Sequence, residues 1–160
     1  MDFSDLYRRY ARDVHRFTLF LSGNHALADD LTAETFVRAL HGSDNLRLDT
    51  VKAYLLAIAR NLYFDFLRRE GRMVPLDGVL DRADGRAEPD ADALGRERLR
   101  DVLAAMQRLP EPEREALVLA VDAELPYERI GAILGCSVAA VKVRVHRARV
   151  RLRALLKEDA

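Results

Sequence analysis

The chain holds one cysteine, Cys136, and no tryptophan in 160 residues. A single thiol excludes an internal disulfide. The four histidines are scattered and give no Cys/His spacing of a zinc site, so neither a metal nor a cofactor is expected. No apolar run reaches the roughly 18 residues that a membrane helix needs. The opening Met1-Asp2-Phe3-Ser4-Asp5 is acidic and lacks the basic and apolar stretches of a secretion signal, which points to the cytoplasm. Strand-forming runs of Val, Ile and Thr are missing too. So are a phosphate-cradling glycine loop and a nucleophile–base pairing, and an enzyme is not expected. Finally, the chain has no net charge, so it is not a globally basic nucleic-acid binder.

What is present is helical. Ala, Leu, Arg and Glu dominate a composition that is 49% hydrophobic, enough for one core or two, and the fold class is read as all-α. Periodicity predicts helices at about 3–21, 26–41 and 50–70, with a polar connector from Gly42 to Asp49. From Gly71 to about Leu94 the pattern collapses into residues with little to bury, which reads as a flexible acidic linker. Helices resume at about 95–108, 112–123, 126–134 and from Ser137 to about 157, with Pro110, Pro112 and Pro126 as punctuation. The expected architecture is two small helical domains, 1–70 and 95–160, joined by 71–94.

The zero total hides a segregation of charge. Residues 71–94 carry −3 and residues 95–160 carry +3. Within 138–157 stand Lys142, Arg144, Arg147, Arg149, Arg151, Arg153 and Lys157, with no acid among them.

Just before that run comes Pro126-Tyr127-Glu128-Arg129-Ile130-Gly131-Ala132-Ile133-Leu134-Gly135-Cys136-Ser137. Ile130, Ile133 and Leu134 face one way. Gly135 suits a left-handed C-cap and Ser137 an N-cap, so the segment reads as helix, tight turn, helix. At 100° per residue, Val141, Val145, Ala148, Leu152 and Leu155 form an inward stripe. Ala139, Val143, His146 and Arg147 lie opposite, where a major groove would be read. Lys142 with Arg149 and Arg144 with Arg151 flank them, where groove walls present phosphates. A solvated basic helix without a partner is the plainer reading, but an acid-free run after a capped turn favours DNA.

Leu109-Pro110-Glu111-Pro112-Glu113-Arg114-Glu115-Ala116-Leu117, followed by Tyr127-Glu128-Arg129-Ile130-Gly131 and Val141-Lys142-Val143-Arg144-Val145-His146-Arg147-Ala148-Arg149, resembles region four of the extracytoplasmic-function (ECF) sigma factors. That resemblance implies binding to a promoter's minus-thirty-five element, with Lys142, Val143, His146 and Arg147 toward DNA. Many members have serine where this chain has Val143.

The N-terminal half extends the likeness. Ala28-Asp29-Asp30-Leu31-Thr32-Ala33-Glu34-Thr35-Phe36-Val37-Arg38 resembles the family's region two, which implies Asp30 and Glu34 as contacts to RNA polymerase. Helix-dipole and i,i+4 pairing of Glu34 with Arg38 explain the same charges without a partner. Members commonly have glutamine at the Ala33 position.

In the third helix, Val51, Leu55, Ile58, Leu62 and Phe66 form the inward stripe. Lys52, Leu56, Arg60, Tyr63, Phe64 and Leu67 form a second face that interleaves cations with aromatics, as unstacked bases require. Tyr63 and Phe64 equally suit packing on the first helix. The run from Ala53 to Leu62, ending in Leu67-Arg68-Arg69, resembles the family's promoter-melting segment, which implies Tyr54, Arg60, Asn61, Arg68 and Arg69 at the minus-ten element. Tyr54 replaces the usual tryptophan and Ala57 the usual arginine.

The resemblance implies a non-enzymatic initiation factor whose partners are core RNA polymerase, promoter DNA and an anti-sigma protein. A helix-turn-helix regulator that never touches polymerase, and a helical adaptor that binds only protein, are the alternatives. Cys136 is read as a small turn residue ahead of a redox switch.

Overall fold

The computed structural model describes residues 2–42, 50–71 and 92–158, and among them every regular element is helical. Three helices build the first half. Helix α1, Phe3–Ser22, begins where Asp2 Oδ1 accepts from the Asp5 N–H at 2.9 Å, and ends where Gly23 turns left-handed at φ 68. Helix α2, His25–His41, is capped by Asn24, whose side chain accepts from the Leu27 N–H at 2.9 Å. Helix α3, Val51–Arg69, is capped by Thr50, whose hydroxyl accepts from the Ala53 N–H at 3.1 Å. Each such cap contributes about 1 kcal/mol. The expected boundaries stand within a residue. Val14, Phe17 and Leu21 of α1, Leu31 and Phe36 of α2, and Leu55 and Leu62 of α3 close a shared core.

The second half starts with α4, Ala93–Gln107, two residues earlier than periodicity suggests, because the Asp92 carboxylate accepts from the Gly95 N–H at 2.7 Å. The expected linker of 71–94 therefore loses Ala93 and Leu94 to the helix, and its remainder from 72 to 91 lies outside the described residues. Helix α5, Glu111–Leu117, has Pro112 in its first turn and runs on into a π-helical turn, Val118–Asp122. The single helix expected at 112–123 is thus wound in two ways. The wider turn closes with the Ala123 N–H donating to Val118 O at 3.0 Å. Helices α6, Tyr127–Leu134, and α7, Val138–Glu158, complete the chain.

The halves do not stand apart. One connected set of buried apolar side chains passes from α1 and α3 into Met106, Leu109, Leu117 and Leu119 of the second half. Arg114 of α5, itself buried, donates from its guanidinium to Met106 O, Gln107 O, Leu109 O and, across the divide, Leu21 O of α1. Tyr63 of α3 donates to the same Leu21 carbonyl at 3.2 Å. Packing on α1 is therefore what the structure assigns to Tyr63.

Burial pushes the Tyr63 phenol up to about 12 from its ordinary 10.0, with nearby Arg114 acting the other way. The fold then holds this proton more tightly than the unfolded chain does. Stability is full below the ordinary value and falls as pH rises from 10 toward 12. Between neutrality and pH ~11 the parent chain should lose about 1 kcal/mol more than Tyr63→Phe, measured by urea unfolding at both pH values. Equal losses in the two chains would clear the phenol of this role.

Candidate nucleic-acid and polymerase interfaces

The recognition turn forms as its residue types require. Gly135 ends α6 at φ 69, and Ser137 Oγ accepts from the Ala140 N–H at 3.1 Å to start α7. Ile130 is fully buried and Ile133 and Leu134 are half-buried, which fixes α6 beneath α7. Gly131 was not marked by periodicity, yet it is where α6 meets the turn most closely. A Cβ there would lie 2.6 Å from Cys136 O. Cys136, half-buried, donates its own N–H to Gly131 O at 3.0 Å, consistent with a turn residue.

On α7 the expected stripe turns inward: Val141, Val145 and Ala148 are buried, and Leu152 and Leu155 are half-buried. Ala139, Lys142, Val143, His146, Arg147 and Arg149 are all exposed on one connected surface. Arg144 is only half-exposed. Arg151, read from sequence as a phosphate contact, instead pairs its Nε with Glu113 Oε1 of α5 at 2.9 Å. That pair ties the recognition helix to the helix beneath it.

The second face of α3 is not the open surface that its sequence suggests. Leu56 is fully buried and Tyr63 nearly so. Lys52 Nζ donates to Ala123 O at 2.6 Å, and Arg60 forms an ion pair with Glu115. The reason is that the second half packs against this face, which amphipathic pattern alone does not reveal. Phe64 lies 4.9 Å from the Arg60 guanidinium, which stacks on its ring. Burial pushes the Glu115 carboxyl up from its usual range, against the opposing pull of Arg60. Of the other residues assigned to the minus-ten element, Tyr54 is half-buried and donates to Gly42 O at 2.8 Å. Asn61, Arg68 and Arg69 are exposed, and Arg68 pairs with Asp65.

On α2, Asp30 and Glu34 are exposed, and Glu34 pairs with Arg38 at 3.3 Å, the expected i,i+4 contact. The structure brings Asp30 and Glu34 together with Arg68 and Arg69 around one open groove between α2 and α3, floored by Leu31 and Phe66. Among the described residues, no group of three or more His, Cys, Asp or Glu is placed to hold a metal, and no helix is long and apolar enough to cross a membrane.

Comparison with known proteins fits this geometry. Residues 6–73 match the family Sigma-70 region 2, and residues 99–152 match Sigma-70, region 4. The ECF RNA polymerase sigma factor SigE of Mycolicibacterium smegmatis is 38% identical across 98% of this chain, which spans 62% of that relative's length. The ECF RNA polymerase sigma factor SigM of Bacillus subtilis is 35% identical, with 97% of this chain and 95% of that protein aligned. Among solved structures, the sigma factor RpoE from Bartonella quintana, in complex with the anti-sigma factor NepR, superposes with a TM-score of 0.79 at 30% identity. That superposition covers 99% of both chains. With both sigma regions in order and relatives of this kind along nearly its whole length, the chain belongs to the ECF group of sigma-70 RNA polymerase sigma factors.

Proposed function

We propose that this sigma factor directs promoter-specific initiation by division of labour. Near Arg69 the first unit ends and near Ala93 the second begins. The first grips core RNA polymerase through Asp30 and Glu34 and holds the minus-ten strand through Tyr54, Arg60, Asn61, Arg68 and Arg69. The second lays α7 into the major groove of the minus-thirty-five element through Ala139, Lys142, Val143, Arg144, His146, Arg147 and Arg149. The connection between them sets the effective concentration of each site for the other, so neither need bind tightly alone. The chain contributes binding and no catalysis, and it works in the cytoplasm, where polymerase is. An anti-sigma protein fits as a regulator, given the complex in which the Bartonella quintana relative was solved.

The observation that carries this reading is the exposed surface of α7, free of acids from 138 to 157, above a buried apolar stripe. It is tested by transcription from purified core polymerase with this chain added, read across the genome. A chain that neither co-purifies with polymerase nor yields defined start sites refutes it.

The allocation within α7 makes a finer prediction. Arg147 is assigned to a base edge, so Arg147→Ala should cost about 1–3 kcal/mol at one position and relax preference there. Arg149, exposed on the flank of α7, is assigned to a phosphate. Arg149→Ala should weaken binding alike across sequences and lower the salt slope by about one. Mobility shifts on a set of point-mutated promoters at several salt concentrations separate the two, and indistinguishable behaviour would refute the allocation.

A further inference from the structure

The cationic run of α7 is met from beneath by an acid of α5. Glu113 stands in the first turn of α5, where the helix dipole favours negative charge, and α5 packs directly against α7. Its side chain is 11% exposed, whereas that of Arg151 is 56% exposed. Arg151 Nε lies 2.9 Å from Glu113 Oε1 without the alignment of a hydrogen bond, so charge rather than an aimed donor draws the guanidinium down. Among the described residues, Arg151 is the cation of the run 138–157 that forms an ion pair with an acid.

We infer that Glu113 withholds Arg151 from DNA phosphates and so sets how strongly α7 binds duplex of any sequence. The inference rests on the reading that lays α7 in the major groove. Arg151 stands one turn after Arg147 and two turns after Arg144, on a flank of α7 that faces a groove wall in that reading. A phosphate that drew Arg151 away would leave the Glu113 carboxylate nearly enclosed and uncompensated, and a buried charge without its partner is costly. The acid is fixed in a buried helix start, so it cannot follow the arginine outward.

The consequence is for promoter choice. Phosphate contacts carry no sequence information, and each adds about 0.9 to the slope of log affinity against log salt. At ~0.1 M salt one such contact corresponds to up to roughly eightfold in affinity on every site alike. A chain that divides its hold between two promoter elements needs this sequence-independent part kept small, because surplus affinity strands it on the many competing sites of a genome.

The test uses the full chain and a randomised duplex of about 20 base pairs, titrated by fluorescence anisotropy between about 50 and 200 mM salt. Glu113→Gln keeps the shape and releases Arg151. Glu97→Gln, on the exposed side of α4, makes the same change of net charge elsewhere. Glu113→Gln should steepen the salt slope by about 0.9 relative to Glu97→Gln and bind about three- to eightfold more tightly at ~0.1 M salt. Adding Arg151→Gln to Glu113→Gln should return both values to those of the parent. Arg151→Gln alone should leave the parent's slope unchanged, because the cation it removes is not at a phosphate, whereas Arg149→Ala lowers the slope by about one.

A slope for Glu113→Gln no steeper than that of Glu97→Gln overturns the inference. So does a slope that Arg151→Gln lowers as much as Arg149→Ala does, and this arm stands even where Glu113→Gln does not fold. Arg149→Ala also checks the reading beneath. If it leaves the slope unchanged, the placement of α7 on DNA falls; if it lowers the slope while Glu113→Gln has no effect, only the inference about Glu113 falls.

Discussion

Replacing Arg114 with methionine should lower the melting temperature by roughly 6–12 °C, the shift expected for a loss of about 3 kcal/mol in a chain of this size. The guanidinium is buried and reaches carbonyls at 2.9 Å on Met106, 2.9 Å on Leu109, 3.0 Å on Leu21 and 3.2 Å on Gln107. Methionine refills the volume with apolar atoms but donates nothing. Each acceptor left unpaired away from water costs about 1–3 kcal/mol, and relief from desolvating the cation offsets only part of that.

Leu21 O loses least, because the Tyr63 hydroxyl still donates to it. Met106 O also keeps a donor, the Leu109 N–H at 3.1 Å, so the loss falls mainly on Gln107 O and Leu109 O. Arg114→Lys should recover little, since one ammonium cannot span four acceptors that a planar fork reaches together. Thermal unfolding followed by circular dichroism decides the matter. A drop under about 3 °C would mean that water or a shifted donor takes over these carbonyls.

Arg114 also shows where reading the chain alone runs out. Helix limits were legible because the capping groups stand next to the segments they stop, and the inward stripe of α7 was legible because its period belongs to one helix. Sequence placed Asp30 and Glu34, and all of the α7 surface except the half-exposed Arg144, where they are exposed. What the pattern cannot say is against which element a face packs.

Leu56 and Tyr63 share a face of α3 with Lys52 and Arg60, so the face looked amphipathic and open. In the fold it is sealed, because Lys52 and Arg60 bury their stems and find oxygen acceptors across the divide. Glu115 and Arg114 sit three and two positions after the helix-starting Pro112, among four charges in the five residues 111–115, a composition that suggests a solvated helix start. Their burial depends on residues more than 50 positions away in sequence. The π-helical turn at Val118–Asp122 lies along the same divide. It carries Asp122 to Arg16 and Ala123 O to Lys52.

The second large effect is expected at Gly131. In Gly131→Ala the new Cβ would fall 2.6 Å from Cys136 O, closer than such contacts occur, and the obstacle is backbone. Either α6 and the turn separate or the Cys136 peptide rotates, and both disturb the Cys136 N–H to Gly131 O bond at 3.0 Å that sets the angle of α7. Overpacking of this sort costs about 1–3 kcal/mol. The greater consequence is for recognition, because displacement of a binding element by about 1 Å is enough to spoil its contacts. Affinity of the full chain for a minus-thirty-five duplex should fall at least about tenfold.

Gly135→Ala is the informative contrast. Gly135 also has a positive φ of +69, but a Cβ there meets nothing within 4 Å. Its cost is the left-handed backbone alone, about 1–2 kcal/mol. Stability should therefore drop in both variants, while duplex affinity, corrected for the folded fraction, should drop only in Gly131→Ala. Should both bind within twofold of the parent, the turn yields without moving α7, and the close approach at Gly131 matters for stability alone.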